Sequence, residues 1–191
     1  MGFFGLGGVG GYYVYGGKEF FDYPPKENSP ALNHSLGQWG GIWMPGFLQF
    51  LTGIYLWLGL TIFKAFQSTP PVLYMAALAF TAYGVHWFAL GLNKYVGGDA
   101  RVDGYMAIAF LWISIVGAFV FGYVADYPPV MILFILLALV YISDIPASLL
   151  QSASWTRIKG GLWHLVTGTW LMYLMFAAAV NFALGLHLPP L

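Results

Sequence analysis

The side chains able to act chemically within this apolar chain are few, and their spacing groups them. Gln49 and Gly53 stand four apart. Phe80, Tyr83, Gly84 and Trp87 follow the i, i+3, i+4, i+7 rule and share one helical face, as do Gly161, His164, Leu165 and Gly168; Asn181 and Gly185 again stand four apart. Amide and phenol groups of this kind can hydrogen-bond a polar group in place of water. Their commoner role in membrane helices is to bridge neighbours, with small residues letting backbones approach. His86 and His164 fall toward the same membrane face, where two imidazoles could clamp a haem as axial ligands. Neutral histidines bonded to carbonyls or water are the plainer reading, nothing else marks a haem, and the expectation is no cofactor and no metal. Asp144 is the one carboxylate that could enter a span. It is interfacial, pairing with Arg157 or Lys159, if its helix stops at Tyr141, and a buried proton or ion site if the helix runs through Pro146. The proline favours the first.

Other chemistries are missing from the sequence. It contains no G-x-S-x-G, no Walker glycine loop, no H-E-x-x-H and no carboxylate pair within a span, so an enzyme is not expected. Seven Lys+Arg balance seven Asp+Glu, which leaves no basic footprint for nucleic acid. With no cysteine there is no disulfide framework, thiolate metal site or thiol nucleophile.

The elements that must position these residues follow from composition. Of 191 residues 60% are hydrophobic and 7% charged, against about 25% charged in soluble domains. A core of this size cannot hide so much apolar surface from water, so an all-α, polytopic transmembrane bundle is expected. Five spans are expected: about Gly40 to Phe66; Pro70 to Leu92 with Thr69 as cap; Asp103, a cap candidate, to Tyr123; Pro128 to Tyr141 or beyond Pro146; and Lys159 to Pro189. Residues 1–38, Gly- and aromatic-rich, read as a non-spanning or re-entrant arm ahead of a transmembrane domain at 39–191. Six basic residues (Lys18, Lys26, Lys94, Arg101, Arg157, Lys159) fall on the side where the first span starts, and Lys64 alone on the other. The bias puts the N-terminus on the cytoplasmic or matrix-like face of a bacterial or archaeal plasma membrane or an organellar inner membrane.

Three stretches, GFLQFLTG (Gly46 to Gly53), FTAYGVHW (Phe80 to Trp87) and GLWHLVTGTWLMY running into AVNFALGLHLPPL, resemble spans of the acetate uptake transporter family, the succinate–acetate permeases. The last supplies Gly161, Gly168, Tyr173, Asn181, Gly185 and Pro190 at the family's spacings. The resemblance implies a homo-hexamer whose protomers each hold a pore for acetate and similar small monocarboxylates, and sometimes for succinate. It implies a constriction made by an aromatic of the first span, Tyr83 and Leu137, and a pathway in which Gln49 and Asn181 supply polar lining. The family's Asn-Pro-Ala-Pro-Leu-Gly-Leu start is absent, residues 1–38 offer no evident first span, and the Lys/Arg bias opposes the family's topology. A second expectation therefore stands beside the channel: a non-transporting accessory subunit of a larger membrane complex.

Overall fold

The computed structural model describes residues 2–22, 30–66 and 72–188. Six helices account for nearly all of them: α1 (Gly2–Phe21), α2 (Pro30–Ile62), α3 (Leu73–Val96), α4 (Arg101–Val124), α5 (Pro128–Leu149) and α6 (Ala153–Leu184). The last five are long and apolar enough to cross a membrane. The class is all-α, as the composition required, and the described residues contain no strand.

Local chemistry sets the ends. Pro128 and Pro129 open α5, where a missing N–H costs nothing. Gly97 (φ +70°) and Gly185 (φ +63°) close α3 and α6 in the left-handed conformation that a terminal turn requires. Asp103 is not the cap of α4. Ala100 holds that position and Asp103 falls in the first turn, where its charge still suits the helix dipole. The expected cap at Thr69 and the end at Pro189 lie outside the described residues. Pro146 does not end α5, because the last turn is closed beyond it by the Leu150 N–H on the Pro146 carbonyl at 3.1 Å. α2 begins at Pro30, about ten residues before the expected start, and winds through a wide π-helical stretch, Leu36–Phe47, that absorbs Pro45.

The largest departure from expectation is residues 2–21. They form a continuous helix of 20 residues, about 30 Å long, packed along α2 and α6 of its own bundle. They are not an arm reaching away from it. The glycines that suggested flexibility are the docking surface. At Gly16 an added Cβ would stand 2.9 Å from both the Gly160 carbonyl and the His164 side chain, and at Gly11 it would stand 2.8 Å from the Pro45 ring. Small residues permit such backbone approach between membrane helices. Contacts of Tyr12 with Gly168, Gly16 with Gly160 and Glu19 with Gly160 run antiparallel, so α1 ends where α6 starts. Gly2 and the end of α6 consequently lie at the opposite end of the bundle from the Lys/Arg-rich loops. The sequence reading, with an arm in place of a helix, had grouped the N-terminus with those loops.

Round the bundle, α1 packs on α2 and α6, α2 on α3, α4 on α5, and α5 on α6. The central core is aromatic: Tyr12, Tyr83, Trp87, Phe121, Phe134 and Tyr141 are buried together with Leu137. Outward faces are apolar, as in Trp112, Phe119 and Phe182, which suits lipid rather than water.

Candidate functional site

At the basic end the last turns of α1, α3 and α5 meet the first turns of α2, α4 and α6 around a cavity of about 660 Å³. Its wall carries a buried ion network. Lys159 Nζ lies 2.9 Å from Glu19 Oε1 and 3.0 Å from Asp144 Oδ1. The second Glu19 oxygen lies 2.9 Å from His164 Nδ1, and Ser148 Oγ donates to Asp144 Oδ1 at 2.7 Å. A carboxylate only accepts, so His164 carries its proton on Nδ1. Three helices are tied by this set: α1 through Glu19, α5 through Asp144 and Ser148, α6 through Lys159 and His164. Asp144 is thus buried, at 3% exposure, and held by Lys159, where the sequence favoured an interfacial position. The helix that continues through Pro146 is the reason.

Local backbone explains why residues five apart on α6 can serve one carboxylate. Ile158–His164 is π-helical, a wider turn that brings Lys159 and His164 toward the same side. Gly160 lies between them against α1, close enough that the Glu19 side chain passes over it.

Deeper in the cavity the wall changes from charge to neutral dipoles. Tyr15 Oη, His86 Nδ1 and Trp87 Nε1 are buried with no hydrogen-bond partner, and all three residues line the cavity. Unsatisfied buried polar atoms are rare and costly, so three on neighbouring residues make this wall the candidate site for polar recognition. The rings pack tightly here. Tyr12 meets Trp87 edge-on at 5.4 Å and His164 at 5.4 Å, while His86 lies 4.3 Å from Phe110 and 5.6 Å from Tyr141.

Past Tyr141 the axis is filled. Tyr83 stacks on Tyr141 at 6.1 Å, Phe110 lies 5.7 Å away, and Phe134 stacks on Phe121 at 5.5 Å. Ser114 gives its only proton to the Phe110 carbonyl at 2.8 Å, so Tyr83 donates the 2.9 Å bond between Tyr83 Oη and Ser114 Oγ. Leu137, 5% exposed, is part of the same cluster.

The sequence-selected residues thus divide. Tyr83 and Leu137 come together in the central plug. His86 and His164 both line the cavity, with the Tyr12 and Trp87 rings between them. Gln49 is buried on α2 and does not line it. Asn181 exchanges two bonds with the Leu188 backbone, at 3.2 and 2.8 Å, closing the turn after α6. Sequence reasoning missed Tyr15 and Glu19 as site residues and gave Lys159 only as an interfacial partner of Asp144. The sign of the first two was a charge cluster directly after a run of glycines and aromatics, and it was read as the mark of an arm.

No family model matches the sequence, and comparison with curated proteins finds no match. Among solved structures, that of the bacterial acetate channel SatP is similar, with a TM-score of 0.69 and 17% identity, over 100% of this chain and 98% of the other. This likeness agrees with the family resemblance of the three helical motifs, and it spans the whole chain. The protein therefore has the helical-bundle fold of that channel structure, and α1 lies within the shared fold.

Proposed function

We propose that this protein is a membrane channel or transporter for acetate and similar small monocarboxylates, with a pathway inside each protomer. α1 then serves as a sixth crossing, at about 30 Å. The basic face is cytoplasmic by the positive-inside bias, which puts both described chain ends on the other side. The cavity at this face is where the acid enters. At its neck Tyr15 Oη, Trp87 Nε1 and His86 Nδ1 offer donors to one carboxylate head, and the Tyr12–Tyr83–Leu137 region is the apolar constriction. Tyr12 supplies the first-helix aromatic that the resemblance called for. Its small methyl-bearing solutes pass an apolar ring that blocks hydrated ions by dewetting. The observation that carries this reading is the trio of unpartnered buried polar atoms on residues that line the cavity. Gln49 and Asn181 are retained as lining only in states that differ from this one. Copies assemble as a homo-oligomer, a hexamer by resemblance, and no haem takes part.

Labelled-acetate uptake into proteoliposomes tests it. Trp87→Phe and Tyr15→Phe are expected to lower uptake by about tenfold, the worth of one or two hydrogen bonds to a charged group. Tyr83→Ala is expected to change it markedly. Uptake that ignores all three substitutions, and Gln49→Ala with them, would sink the assignment. The filled axis below Tyr141 favours one alternative, an accessory subunit that does not transport. Mild-detergent purification separates the two: a homo-oligomer alone supports the channel, and stoichiometric recovery with a respiratory or photosynthetic complex supports the subunit.

A further inference from the structure

We infer that the Glu19–Lys159–Asp144 network is a charge filter that admits acids with one carboxylate and rejects dicarboxylates, with Glu19 as the residue that sets this specificity. The inference rests on the cavity being the route of the acid. Lys159 lines the same cavity as the unpartnered polar atoms, yet it offers no free charge. Two of its three N–H bonds end on carboxylates of the protein, at 2.9 and 3.0 Å. Glu19, Asp144 and Lys159 together carry one net negative charge. The whole cavity wall repeats this sign, with Lys18, Lys94 and Lys159 against Glu19, Asp22, Asp103 and Asp144. His164 is pledged to Glu19 and His86 is buried among aromatic rings.

A single carboxylate can settle on the neutral donors Tyr15, Trp87 and His86. The second carboxylate of a four-carbon diacid cannot avoid the network. Tyr15 and Glu19 stand four apart on α1, which places Glu19 about 5–6 Å further toward the mouth. That is the height a second carboxylate would occupy, and there it meets a site of its own sign in a partly desolvated wall, where like charges repel strongly. Neutral recognition below and net negative charge above make a reader of one anionic head.

The test counts charge. Acetate and succinate are compared in proteoliposome uptake and, separately, by the melting-temperature shift each acid gives the detergent-purified protein. Wild type is expected to respond to acetate and not to succinate. Glu19→Gln, which keeps the side-chain shape and one accepting oxygen, and Asp144→Asn, on another helix, should each raise the succinate-to-acetate ratio by about tenfold or more. The double variant Glu19→Gln with Lys159→Met restores the net charge and should bring the ratio back down. A purely structural role for Glu19 would not follow this order. Wild-type succinate response equal to acetate, or variant ratios that fail to follow the charge, overturns the filter even while acetate uptake stands. Ratios that follow charge in the melting shifts, with no uptake of either acid, uphold the filter and remove transport.

Discussion

The two ends of the bundle are closed by different chemistry. At the basic end, helices part around a cavity and are held by ions: Lys159 joins Glu19 of α1 to Asp144 of α5. At the other end the fastenings are neutral. Trp170 Nε1 donates to the Pro129 carbonyl at 3.0 Å, the Tyr127 N–H to the Phe121 carbonyl at 2.8 Å, and Asn181 to Leu188. The charges there, Lys64 and Asp126, are exposed. A chain with only fourteen charged residues has placed three of them in one buried contact. Neutral contacts close the far end, so the ions at the near end require a reason other than stability. Replacing a buried ion set by apolar groups is commonly neutral or stabilising, whereas breaking one is costly.

The widest separation between the ends should therefore appear on removing Lys159. Lys159→Met leaves Glu19 and Asp144 facing each other without a counter-charge, and a loss of about 3–5 kcal/mol is expected in reversible SDS titration of the protein in mixed micelles. Adding Glu19→Gln and Asp144→Asn to that variant should recover most of the loss. A loss near 1 kcal/mol for Lys159→Met would erase the contrast.

The α1 seam gives a smaller effect with an internal control. Gly16→Leu must push against the Gly160 backbone, and overpacking of this kind costs about 1–3 kcal/mol. An added Cβ at neighbouring Gly17 meets nothing within 4 Å, so Gly17→Leu should leave the same titration unmoved. Equal effects would mean that α1 does not seat as described.

That pair also shows what could be read from the sequence and what could not. The five apolar runs were plain because lipid demands long uncharged stretches. Tyr83 came from its motif and Leu137 only from the hydrophobic alignment of its helix; both lie in one buried cluster. α1 was missed because glycine carries two opposite meanings, freedom in an isolated chain and close approach in a packed one. Only the partner surface, here Gly160 on α6 and Pro45 on α2, decides between them. Asp144 was misjudged because Pro146 was weighed as a helix end. One missing backbone donor does not stop a helix whose next turn is otherwise closed. The site residues Glu19 and Lys159 lie 140 positions apart, and only a tertiary contact joins them.

Neutral contacts should give the next rung. Tyr83→Phe and Ser114→Ala should each cost about 1 kcal/mol, and less than the sum when combined, since both remove the same buried bond. Trp170→Phe at the far end should also cost about 1 kcal/mol, and a value as large as that for Lys159→Met would contradict the comparison of ends.

The smallest effect belongs to the exposed pair at the start of α4. Asp99 accepts the Arg101 backbone N–H at 2.9 Å and also pairs with its guanidinium, which holds the Asp99 carboxyl down at about 2. A lowered folded-state value means that whatever this contact adds is present above the ordinary carboxylate range and lost as pH falls toward 2. The carboxyl should still be ionised at about pH 3 by carbon-13 NMR, while Asp99→Asn leaves the melting midpoint unchanged because the pair is open to solvent.

The wide turn at Ile158–His164 makes α6 a counted thread. One residue removed from that stretch would return it to ordinary α-helical pitch and rotate everything before it by about 100° relative to everything after. Lys159 would swing off the axis while His164 and the membrane-facing half stayed in place. A substitution here changes one side chain and leaves the register of the helix as it was. A single-codon deletion would instead take the lysine out of the Glu19–Asp144 pair and leave the rest of the helix with its old neighbours.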